Sequence, residues 1–289
     1  MIPLREMADP RRILSFFLSS SLLPVLLCSC GGPADLEPSR PEGIPVPPYL
    51  EKFSPEPVKT GFDLLFIHHS CGSNWLADSD GGLARALTEA GFHVHDATYG
   101  SKIGEKTDVI HWFPKFSKMM DRILRTKKQD ELLEKGRFNR IVMFKSCFPN
   151  SALHKPGKTE WDPLGIMTVE NYKLAYNALL PIFRKHPDVL FVAVTAPPLR
   201  KEDTNPESAS LAKEFNRWLV NEWPAKDRNV ATFDFFGILS TKEGWLRYPT
   251  EDSHPNRLGN RRATKAFLPF LFRALRRAGL VKDEGKGGR

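Results

Sequence analysis

Phe62-Asp63-Leu64-Leu65-Phe66-Ile67-His68-His69-Ser70-Cys71-Gly72-Ser73-Asn74-Trp75 is the stretch that decides the fold. Leu64 to Ile67 is a short apolar run of the kind that forms a buried strand. Two histidines, a serine and a glycine follow it directly. A serine just past a first parallel strand lies at the carboxyl edge of a sheet, where open α/β sheets bind ligands. Its hydroxyl can face a cleft while the next backbone N–H groups converge on one point, as a hydrolase nucleophile requires.

Downstream, strand and helix patterns alternate. Further strands are expected over 92–97, 140–145, 189–195 and 230–235. Helices are expected over 81–90, 112–133 with a break near Thr126, 169–185, 206–220 and 257–278. Five βα units imply an α/β protein with a parallel sheet covered by helices on both faces. The Gly81-Gly82 pair lacks the glycine spacing and the lysine of a phosphate cradle.

Upstream, Arg5, Arg11 and Arg12 precede an apolar run from Ile13 to Leu27, the pattern of a secretory signal. Leu27-Cys28-Ser29-Cys30 resembles a bacterial lipobox, which implies cleavage before Cys30, a diacylglycerol on its sulfur and a membrane anchor on the exported side. The expected division is therefore a signal peptide over 1–29, a proline-rich tether over 30–60, a globular domain over 61–281 and a basic tail over 282–289. The formal charge of +8 gathers partly in Arg273, Arg276, Arg277, Lys282, Lys286 and Arg289. Cations closing a helix account for much of this, so nucleic acid is not expected as a partner.

Two more loops carry chemistry. Tyr248-Pro249-Thr250-Glu251-Asp252-Ser253-His254-Pro255-Asn256 follows the fifth strand, with two carboxylates just before a histidine. A carboxylate that fixes an imidazole tautomer makes a poised base. Ser146-Cys147-Phe148-Pro149-Asn150 follows the third strand, and Asn150 can aim an amide at an oxyanion.

Ser70 after strand one, Asn150 after strand three and His254-Pro255-Asn256 after strand five together resemble the SGNH hydrolase superfamily, the GDSL-like esterases. The chain has His68-His69-Ser70-Cys71 where the family has Gly-Asp-Ser-Leu, and it lacks the family's Gly-x-Asn-Asp block. The resemblance implies a flavodoxin-like three-layer sandwich with a five-stranded sheet in the order 2-1-3-4-5. It implies acyl-ester hydrolysis or transfer, with Ser70 as nucleophile and His254 as base. Glu251 stands three residues before the histidine and Asp252 two, and either spacing serves as the acid. The oxyanion hole would use Ser70, Gly100 and Asn150. No cofactor is implied, and the substrate would be a small-molecule or glycan ester. In the flavodoxin-like strand order Cys71 and Cys147 fall on neighbouring strands, close enough for a disulfide in an oxidising compartment.

Two other classes fit some of the residues. A metal-dependent hydrolase would draw on His68, His69, His93, His95, Asp96 and His111, although no His-Glu-x-x-His or paired-cysteine motif appears. A non-catalytic lipoprotein would hold a glycan on Trp75, Tyr99, Trp112 and Trp161.

Overall fold

The structure, a computed structural model, describes residues 45–283. The signal peptide, Cys30 and the last residues of the basic tail lie outside the described residues. The five expected strands form as β1 (Asp63–Ile67), β2 (His93–Ala97), β5 (Ile141–Lys145), β6 (Leu190–Val194) and β7 (Val230–Phe233). They pair in parallel in the order β2-β1-β5-β6-β7. The expectation of a five-stranded sheet is nevertheless incorrect. Two short strands, β3 (Thr126–Lys128) and β4 (Glu131–Leu132), extend it beyond β2, giving seven strands in the order β4-β3-β2-β1-β5-β6-β7. These residues continue a helical pattern in sequence. The chain leaves the helix at Thr126 and turns back at Gln129, whose φ is +52°. The β3–β4 pair is antiparallel.

β1 and β5 are buried along their whole length, as strands covered on both faces must be. Leu65, Ile67, Val142, Phe144 and Phe191 face one apolar cluster, packed by α3 (Val109–Arg125), α4 (Val169–Asn177), α5 (Leu180–Phe183) and α6 (Pro206–Asn221). Leu64, Phe66, Ile141, Met143 and Val192 face the other, with α1 (Ser70–Leu76), α2 (Leu83–Glu89), α7 (Phe235–Leu239) and α8 (Arg257–Ala278). α8 spans the residues its sequence pattern indicates. The single helix expected over 169–185 divides after Asn177, because Pro181 has no N–H to donate back along the helix. α1 and α7 are helices that the sequence pattern did not indicate.

Within the expected tether, residues 45–60 lie on the domain as a strap. Leu50 is fully buried, and the Tyr49 hydroxyl accepts the Thr232 N–H at 3.0 Å. Arg273 donates to the Leu50, Glu51 and Phe53 carbonyls, and Arg276 to those of Ser54 and Glu56. Its five prolines carry no N–H to satisfy, and arginines satisfy several of its carbonyls. Arg277 likewise binds the Asp227 and Val230 carbonyls from a buried position. Part of the basic surplus is thus spent inside the fold. Among the described residues no helix is long and apolar enough to cross a membrane.

Candidate active site

Ser70 is not in a loop; it is the first residue of α1, separated from the end of β1 by His68 and His69 alone. The first turn of a helix leaves its N–H groups without intrahelical acceptors, and the partial positive charge of the helix end lies with them. α1 packs tightly against the preceding His68: a Cβ on Gly72 would collide with that imidazole, so only glycine lets the helix start here.

The loop after α7 brings His254 to Ser70. A β-bridge between Pro249 and Pro255 and hydrogen bonds from Thr250 N to His254 O and from Asn256 N to Tyr248 O close it into a tight arch. Ser70 Oγ lies 2.8 Å from His254 Nε2. On the other side of the ring, Nδ1 is 2.8 Å from each oxygen of Asp252. Of the two acids, Asp252 meets the imidazole, while the Glu251 side chain is exposed and its backbone carbonyl accepts from Arg200. Asp252 also accepts the His254 backbone N–H and the Thr250 hydroxyl, each at 2.9 Å. That backbone N–H, the imidazole and the hydroxyl lower its pKa to about 2, so it remains a carboxylate at any working pH. The edge of Phe148 packs on the His254 ring, with centroids 4.9 Å apart.

Residues distant in sequence hold the arch. The Ser253 hydroxyl is buried; it donates to Asp203 at 2.7 Å and accepts the Arg200 N–H at 3.0 Å. Arg200 Nε donates to Asp203 at 2.7 Å. Arg200 and Ser253 hold the Asp203 carboxyl below the usual range. Thr250, Arg200, Asp203 and Phe148 were not apparent as site residues in the sequence. Arg200 and Asp203 follow β6, some fifty positions before the arch, and no local spacing links them to it.

Two of the three expected oxyanion donors, Gly100 and Asn150, are engaged elsewhere. Gly100, in a left-handed turn with φ +82°, donates its N–H to the Glu105 carboxylate. Asn150 is buried: its Oδ1 accepts the Val109 N–H at 3.0 Å and its Nδ2 donates to Asp108 at 2.9 Å, which caps the start of α3. Cys71 and Cys147 stand as free thiols whose Sγ atoms lie 3.2 Å apart; the expected bridge is not formed. Cys147 Sγ is also 3.5 Å from Ser70 Oγ. The Cys71 thiol and the Lys145 ammonium, partly offset by burial, bring Cys147 down to about 4, whereas burial pushes Cys71 up.

The residues of the other two readings disperse. His95 binds Asp63 at 2.8 Å, His93 lies beside the same carboxylate and Arg137, and His68 faces Asp96. His69 reaches the Gly104 carbonyl at 2.7 Å, and His111 neighbours Asp108. They do not converge on one point. Trp75 and Trp112 are core residues, each fully buried, and offer no surface to a sugar. Tyr99 and Trp161 are about half exposed, and Tyr99 stacks on His69, next to Ser70, at 3.8 Å.

No family model matches the sequence, and no curated protein matches it significantly. Solved structures that are similar in part include the following two. One is a Streptococcus pneumonia protein described provisionally as a platelet activating factor, with 14% identity and a TM-score of 0.45 over 74% of this chain and 85% of the other. The second is a carbohydrate esterase family 2 enzyme with its carbohydrate-binding domain, from Corynascus thermopiles (Myceliophthora fergusii). It shares 15% identity at a TM-score of 0.46 over 75% of this chain and 68% of the other.

Proposed function

We propose that the chain is a serine ester hydrolase. The observation that carries this reading is the continuous hydrogen-bonded line Ser70 Oγ–His254 Nε2, His254 Nδ1–Asp252. Ser70 Oγ attacks the ester carbonyl carbon while Nε2 takes its proton, and Asp252 stabilises the imidazolium that results. The imidazolium then protonates the departing alcohol, and water, deprotonated by the same nitrogen, releases the acid from Ser70. The Ser70 N–H, at the positive end of α1, meets the oxyanion. Gly100 and Asn150, the positions the SGNH resemblance indicates, would join it only by exchanging Glu105 and Asp108 for the substrate.

The substrate in this reading is an exported acyl ester, with an O-acetylated carbohydrate the leading class. Tyr99, half-exposed and stacked on His69, and the Phe148 edge against His254 supply aromatic surface suited to a sugar ring. The lipobox-like Cys30 would anchor the domain at a membrane on the exported side. A fluorophosphonate probe tests the central claim: it should modify the folded wild-type protein at Ser70 and leave Ser70→Ala and His254→Ala unlabelled. Labelling that persists in Ser70→Ala would refute it.

A further inference from the structure

The two thiols beside the nucleophile have no part in the mechanism above. Cys71 Sγ and Cys147 Sγ lie 3.2 Å apart, Cys147 Sγ is 3.5 Å from Ser70 Oγ, and Ser70 Oγ is 2.8 Å from His254 Nε2. Ligand atoms of Cys71, Cys147 and His254 all fall within 4.8 Å of one another. Nε2 is the imidazole nitrogen on that side, because Nδ1 is bound by Asp252. Two sulfurs, one nitrogen and a hydroxyl oxygen thus gather in one small cluster.

We propose that Cys71, Cys147 and His254, with Ser70 Oγ as fourth donor, form a binding site for a soft divalent cation such as Zn²⁺, and that occupancy blocks the catalytic pair. Two thiolates and an imidazole are the donor types that zinc selects over magnesium or calcium. With Zn–S bonds of about 2.3 Å, a tetrahedral site needs its sulfurs about 3.8 Å apart, so the pair has to open by only about half an ångström. Asp252 already holds the imidazole by its far nitrogen, the arrangement that orients metal-bound histidines. On binding, each remaining S–H proton passes to solvent as an S–Zn bond forms, and there is no change of oxidation state. Lys145, buried at the end of β5, stays close to Cys147 and compensates part of the thiolate charge. The Nε2 lone pair that would take the Ser70 proton becomes a metal ligand, so the ion competes with catalysis.

Binding does not depend on the esterase reading; inhibition does, and the experiment separates them. The reduced full chain is titrated with Co²⁺ alone, then with Zn²⁺. One Co²⁺ per chain should give a thiolate-to-cobalt charge-transfer band with tetrahedral d–d absorption, and one Zn²⁺ should remove both. Hydrolysis of 4-nitrophenyl acetate should fall more than about tenfold with zinc and return with EDTA, whereas Cys71→Ala and Cys147→Ala should each lose the band and need at least about tenfold more zinc for the same inhibition. Absence of a charge-transfer band in the wild-type protein, or zinc inhibition unchanged in both cysteine variants, overturns the site. So does exported protein that offers neither thiol to an alkylating agent until reduced. A normal band in a protein with no esterase activity before zinc supports the site and refutes the esterase reading.

Discussion

Replacing Asp252 with asparagine preserves size and shape and isolates what the carboxylate does. Three donors converge on Asp252: the His254 N–H and the Thr250 hydroxyl on Oδ1, and Nδ1 at 2.8 Å from both oxygens. An amide has one oxygen. The two donors that can use only Oδ1 keep it, which leaves the NH₂ group facing Nδ1. An N–H cannot face another N–H, so the imidazole moves its proton to Nε2 and points a donor at Ser70 Oγ where a base is needed. The wrong tautomer in a serine protease costs ~10⁴ in kcat, and the same logic predicts a loss here of roughly 10³–10⁴, about 4–5.5 kcal/mol in the barrier. Stability should change by well under 1 kcal/mol, because the Asp252 side chain is about half exposed. The assay is hydrolysis of 4-nitrophenyl acetate, with Glu251→Gln as the matched control and thermal unfolding to confirm the fold. A kcat for Asp252→Asn within tenfold of wild type, or an equal loss in Glu251→Gln, would refute the reasoning.

Other expectations follow from the same geometry. Ser70→Ala, His254→Ala and the double variant should lose about the same activity, since the residues act as a unit; losses that add in the double variant would mean they act separately. Asn150→Ala should cost about 1–3 kcal/mol of stability, because it strips the buried Val109 N–H of its acceptor. If instead kcat drops by about 10²–10³ with stability unchanged, Asn150 is an oxyanion donor and its helix-capping bonds are dispensable. Arg200→Ala releases Asp203 and the Glu251 carbonyl, and should lower kcat roughly ten- to a hundredfold with little change in KM as the arch loosens; a lower melting temperature with normal kcat would make Arg200 merely structural. Because Asp252 is ionised above about pH 2, the acid limb of kcat/KM should have unit slope. A slope of two would show the carboxylate titrating in the working range.

The alternating strands and helices were legible because a strand buried on both faces must be apolar along its length, and a helix must turn an apolar stripe inward. Leu64–Ile67, Ile141–Phe144 and Arg257–Ala278 carry those patterns without ambiguity. Ser70 and His254 were legible for the same reason: each follows a strand, and parallel strands deliver the residues after them to one edge. Periodicity failed where tertiary packing decided. Residues 126–132 keep a helical pattern yet form strands, β3 on β2 and β4 on β3, because the sheet edge offers hydrogen bonds that an isolated helix end lacks. The strap over 45–60 looked like a free tether, since its prolines predict no regular structure; the arginines of α8 that bind its carbonyls are more than two hundred residues away. The choice between Glu251 and Asp252 turns on the arch that Ser253, Arg200 and Asp203 hold closed. The contact between Cys71 and Cys147 exists only because β1 and β5 are neighbours. Sequence alone determined which side chains reach the carboxyl edge of the sheet, since that depends on local pattern. Which of them touch, at what distance and in what charge state, was decided by tertiary structure, because hydrogen bonds and burial between residues far apart in the chain leave no periodic trace in it.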